Sequence, residues 1–148
     1  MIRIYLDTCC LNRPLDNQSQ QRVRLESEAI IIILRRVARG EWTMIGSGAI
    51  DDEIAANPDP ELRDHVQSFA RVATEYVTLN PDHGRRGRQL QAAGLQGHDA
   101  LHLACAEAAG ADVLLTTDDA FVRRARRVQQ DVGVRVVNPL TWLEEQPR

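Results

Sequence analysis

The stretch at 97–119, GHDALHLACAEAAGADVLLTTDD, limits the fold more than any other part of the chain. It reads as an amphipathic helix, a Gly-Ala-Asp break, and a wholly apolar strand that ends in two acids. A strand with no polar alternation must be covered on both faces, and a helix leading straight into it is the unit of a parallel sheet. The rest of the chain repeats this grammar. Residues 2–6, IRIYL, and 42–46, WTMIG, read as strands, as do Tyr76–Leu79 and Val134–Val137. Helical spacing is expected over 21–39, from Ser47 to Asn57, over 60–74 and over 120–130, with a terminal turn at 140–145. Residues 9–20, CCLNRPLDNQSQ, read as a loop. The segment 82–96 has helical spacing but is weakened by Gly84, Gly87 and Gly94, so a loop followed by a short helix is expected there. The expectation is a single three-layer α/β domain over 1–148, with a mostly parallel sheet between helices.

Composition excludes several functions. The net charge is -3, which argues against a polyanion binder held by overall charge. All 18 basic residues are arginine, so no mechanism can use a lysine. Receiver-type signalling domains, which hold a phosphoryl group with a lysine, are disfavoured for that reason. Cys9, Cys10 and Cys105 offer neither a zinc-type pair nor a disulfide framework and read as free thiols in a reducing cytoplasm. The longest apolar run, AIIIIL at 29–34, is far shorter than the roughly 20 residues a membrane span needs.

Four acids stand at the tips of elements. Asp7 follows the first strand, Asp118 follows the strand of the opening stretch, and Asp99 begins the helix that feeds that strand. In a parallel sheet these tips share one edge. Glu53 joins them by helical phase: it lies three residues after Ile50 and beside Ile54, whereas Asp51 and Asp52 point towards solvent. Each acid alone has a plain structural explanation as a helix cap or turn residue. Together they would repel one another unless a cation intervenes, and hard divalent ions such as Mg²⁺ or Mn²⁺ take oxygen ligands. Thr8, Ser47, Thr116 and Thr117 supply polar surroundings, with Asp119 as a neighbour. Such a site activates water against a phosphodiester.

The segments DTCCLNRP, Ser47 to Glu53, HDALHLA and LLTTDDAF, in this order across residues 2–143, resemble PIN-domain proteins, most closely the VapC-type toxin ribonucleases of bacterial toxin–antitoxin pairs. The resemblance implies a five-stranded parallel sheet and Mg²⁺- or Mn²⁺-dependent cleavage of RNA by Asp7, Glu53, Asp99 and Asp118. It also implies a homodimer and a small cognate antitoxin that fills the acidic groove. Arg13, Arg85, Arg86, Arg88 and the 123–127 arginines are then candidates for the RNA backbone, or else solvated helix faces. Cys9 and Cys10 depart from the small polar residues that many relatives carry there. Two further readings compete: a PIN-like nuclease of RNA processing without a toxin role, and a zinc hydrolase using His98 and His102, spaced as in HExxH. For His102 a partly buried, hydrogen-bonded role near Asp99 is the better expectation.

Overall fold

The structure, a computed structural model, describes residues 1–148. Strand β1 (Arg3–Leu6) is the middle of the sheet, and Ile4, Tyr5 and Leu6 have no solvent exposure. The others are β2 (Thr43–Ser47), β3 (Glu75–Val77), β4 (Val113–Leu115) and β5 (Arg135–Val137). They lie in the order β3-β2-β1-β4-β5, and all four pairings are parallel. Eight helices flank the sheet: α1 (Thr8–Asn12), α2 (Gln21–Ala38), α3 (Gly48–Ala55), α4 (Pro60–Ala70), α5 (Pro81–Ala92), α6 (Gly97–Ala108), α7 (Asp119–Arg126) and α8 (Pro139–Glu144). One apolar cluster runs through the layers from Ile4 to Trp142.

The chain lays down β1, β2 and β3 in one direction, then returns to place β4 and β5 on the other side of β1. The order reverses between β1 and β4, and a crevice opens at the carboxyl ends of strands at such a reversal. Leu6 is paired with Leu115, and the Asp7 N–H donates to Leu115 O at 3.2 Å, so Asp7 and Thr116 stand side by side at that crevice.

An expected loop, and a segment expected to be a loop and then a short helix, both carry helices that start earlier than expected. The residues after Asp7 form α1 because the Asp7 carboxylate accepts from the Cys10 N–H at 3.0 Å, closing the first turn; Arg13–Leu15 continue as a 3-10 turn. Residues 81–92 form α5 despite Gly84 and Gly87. Asn80 accepts from the N–H groups of Asp82 and His83 at 2.9 and 3.2 Å, its own N–H donates to His83 Nδ1, and Pro81 fills the first helical position. Gly87 is buried in α5, and a β-carbon there would stand 3.7 Å from the Leu101 Cα of α6. The helix cost of two glycines, about 1 kcal/mol each, is offset by the cap and by packing on α6. His98, expected just before a helix, lies within the first turn of α6.

A buried charge ties the layers together. Glu26 of α2 is 1% exposed, lies 3.2 Å from both Arg13 Nε and Arg22 Nε, and accepts from Asn138 Nδ2 at 2.6 Å. The Arg13 contact is an ion pair without hydrogen-bond alignment. Asn138 in turn caps α8.

The capping argument is checked by thermal melting of Asn80→Ala. Loss of the cap is expected to cost about 1 kcal/mol and to lower Tm by about 2–4 °C in a chain of this size. An unchanged Tm would mean that tertiary packing alone holds α5.

Candidate active site

Asp7 is 2% exposed at the end of β1. Burial pushes its carboxyl upward, opposed by the His102 ring, the Thr116 hydroxyl and the Cys10 amide. Asp118 caps α7: its Oδ1 accepts from Ala120 N–H at 2.9 Å and Phe121 N–H at 3.3 Å, while its own N–H donates to Thr116 Oγ1. Glu53 is half-buried on α3, with Asp51 and Asp52 exposed beside it, as its helical phase requires. Burial alone would raise Glu53, but the hydrogen bond and electrostatic pull of the His102 ring prevail and hold it low. Thr8, whose buried hydroxyl lacks a partner of normal geometry, stands close enough to favour the ionised form too. Asp99 lies in the first turn of α6, where a negative charge is favoured by the helix dipole.

The acids act on one another. Asp99 is raised to about 6, first by burial and then by repulsion from Asp118 and Asp7, with Glu53 adding a smaller share. Cys9, whose thiol is crowded by the chain although the residue meets solvent, reports the same convergence: loss of hydration and then the charges of Asp7, Glu53, Asp118 and Asp99 push it up to about 12. No arginine is among the groups that act most strongly on Asp7 or Asp99, and the His102 ring favours their ionised forms. The structure therefore brings Asp7, Glu53, Asp99 and Asp118 into one electrostatic neighbourhood, with none of the four in an ion pair with arginine.

Three of the four are anchored through one oxygen. Asp7 Oδ1, Asp118 Oδ1 and Glu53 Oε1 receive hydrogen bonds from Cys10 N–H, two amides of α7, and the His102 ring respectively. Asp99 has no such anchor. No three acidic, His or Cys side chains are arranged to hold a metal ion as they stand. The donor chemistry nevertheless fits a hard cation: carboxylate oxygens, mutual repulsion, no lysine or arginine between them, and hydroxyls of Thr8 and Thr116 alongside.

The remaining expected residues divide. Ser47 faces the core, where its Oγ accepts from Ile50 N–H at 3.2 Å and lies 2.7 Å from the Tyr5 hydroxyl. Asp119 is held by Arg22 in a two-pronged ion pair with both distances 2.8 Å, and Arg22 also donates to Thr117 O; Asp119 is thus committed elsewhere than the acid cluster. Arg13 is engaged by Glu26 and Asp16. Arg86 donates to both oxygens of Glu107 and to Asp131 O, and Glu107 lies eight residues past Asp99, about 12 Å down the axis of α6. Arg85 pairs with Asp82, while Arg88 is exposed. The structure does not bring these arginines to the acidic edge through their own ion pairs.

His102 is 3% exposed, and both ring nitrogens are occupied. Nδ1 lies 2.6 Å from the Tyr5 hydroxyl, and Nε2 meets Glu53 rather than Asp99. His98 is exposed. Neither ring nitrogen of His102 is left for zinc. The partners of His102 are 49 and 97 residues away, so no local sequence pattern points to them.

The raised Asp99 has a stability consequence with a definite sign. The folded state holds this proton more tightly than the unfolded chain, so stability is lost as pH rises from the ordinary carboxylate value of 3.8 through about 6. In EDTA above pH 6, Asp99→Asn is expected to be more stable than wild type by about 1 kcal/mol, solvent screening included, or about 2–4 °C in Tm. The gap should close below pH 4. A variant less stable at pH 7.5 would overturn the repulsion argument.

The PIN domain model of this family matches residues 4–127. No curated protein sequence matches significantly. Among solved structures, the crystal structure of VapBC2 from Rickettsia felis bound to a DNA fragment from their promoter is similar, with a TM-score of 0.58 and 13% identity, covering 93% of this chain and 98% of that one. At that identity the likeness is one of fold. With most of its length matched, the chain belongs to the PIN domain family of nucleases.

Proposed function

We propose that the protein is a Mg²⁺- or Mn²⁺-dependent endoribonuclease, the toxin of a toxin–antitoxin pair. The observation that carries the reading is the set of four carboxylates pressing on one another, and on Cys9, with no lysine or arginine between them. Asp7, Asp99, Asp118 and Glu53 would hold the ion. When bound, it supplies Lewis acidity and a nucleophilic water at neutral pH. The chain's own part is to hold carboxylate oxygens in fixed directions. The amide of Cys10 fixes Asp7, the first turn of α7 fixes Asp118, and His102 fixes Glu53. Asp99, the unanchored acid, is left free to adjust to the substrate phosphate.

The fold shared with VapBC2 supports the toxin role and a small antitoxin as partner, and the acidic crevice suits a basic segment of such a protein. A homodimer is part of the same proposal. No helix of the structure is long and apolar enough to cross a membrane.

Cleavage of RNA with Mn²⁺ tests the reading. Asp7→Asn and Asp99→Asn are each expected to lower the rate by at least about a hundredfold, while Asp119→Asn, whose carboxylate serves Arg22, stays within a few-fold of wild type. Cleavage that survives both of the first two changes would overturn the nuclease site. Expression should arrest growth, relieved by a small protein encoded alongside; normal growth with abundant protein would remove the toxin role.

A further inference from the structure

Glu53 is the end of a buried polar chain that the four-acid site does not itself require. His102 Nε2 meets Glu53 Oε1, His102 Nδ1 lies 2.6 Å from Tyr5 Oη, Tyr5 Oη lies 2.7 Å from Ser47 Oγ, and Ser47 Oγ accepts from the Ile50 N–H. The four groups come from α3, α6, β1 and the end of β2. Tyr5 and Ser47 are wholly buried and His102 nearly so, so a polar chain here survives only if each member is satisfied. One direction of donation satisfies all of them. The Ile50 N–H donates to Ser47, the Ser47 O–H to Tyr5, the Tyr5 O–H to His102 Nδ1, and the His102 Nε2–H to Glu53. This sets the Nε2–H of His102 towards Glu53 and occupies one of the two carboxylate oxygens.

We propose that His102, oriented by Tyr5 and Ser47, is a positioning residue that presents Glu53 to a divalent cation. The inference rests on the metal-dependent reading of the four acids. Groups that hydrogen-bond a metal ligand set its direction and basicity, and removing one typically costs 10–100-fold in metal affinity. The spacing HDALH thus places a metal-binding acid and the support of a second one on adjacent turns of a single helix, Asp99 and His102.

Mn²⁺ titration of the RNA-free protein by calorimetry tests this, alongside the Mn²⁺ dependence of RNA cleavage. His102→Leu is expected to raise the Mn²⁺ dissociation constant about 10–100-fold and the half-saturating Mn²⁺ for cleavage in parallel. His102→Gln, whose amide still donates where Nε2 did, should recover affinity to within a few-fold of wild type. Tyr5→Phe removes one oxygen from a buried ring of the same shape; it should weaken Mn²⁺ binding several-fold, and it stands in if His102→Leu does not fold. Wild-type affinity in folded His102→Leu or in Tyr5→Phe would overturn the positioning role. Equal loss in the Leu and Gln variants would also overturn it, since packing rather than donation would then be the cause. Failure of the wild type itself to bind Mn²⁺ would instead overturn the metal reading, and this inference with it.

Discussion

The pairing of β1 with β4 is the constraint from which the rest follows. These strands are adjacent in the sheet although more than a hundred residues separate them, because the chain must return across β1 after laying down β2 and β3. The pairing sets Leu6 against Leu115 and opens the crevice beyond them. Asp7 is then buried not by a wish to bury a carboxylate but because the strand it ends is central. Its amide is used by Leu115 and its side chain by Cys10, so the turn into α1 is fixed by a residue of the acid cluster.

This placement is costly. A buried carboxylate disfavours its own ionisation, and a second and third carboxylate nearby compound the cost. The fold meets part of it with dipoles, since Asp7, Asp99 and Asp118 all sit at helix N-termini. It meets none of it with arginine, although 18 are available. Instead the arginines pair with other acids: Arg22 with Asp119 and Glu26, Arg86 with Glu107, Arg3 with Glu75. Arg22 matters most, because it grips the residue next to Asp118 and joins that turn to the buried Glu26 on α2.

The positions of the four acids were legible because each depends on local pattern. Apolar strands mark where Asp7 and Asp118 emerge, and the spacing of Ile50 and Ile54 fixes the phase of Glu53. The helices α1 and α5 were missed for opposite reasons. In α1 the capping group is the site residue itself, read as chemistry rather than as a helix start. In α5 the glycines weaken the helical signal, although Asn80 followed by Pro81 is a cap and a first turn. The commitments of Arg13, Arg22 and Arg86 were not legible at all. Their partners are set by packing between distant helices, and nothing in a run of arginines distinguishes one that pairs from one that waits for a polyanion.

Holding three carboxylates through one oxygen each has a consequence for which ions suit the crevice. On the proposed metal reading, an ion would meet three carboxylates whose directions are set by backbone amides and a buried ring, and one, Asp99, without such an anchor. Differences in ionic radius would then fall on a single side chain, since small ions demand stricter geometry than larger ones. Discrimination between ions of like charge would be a property of one rotamer on the first turn of α6.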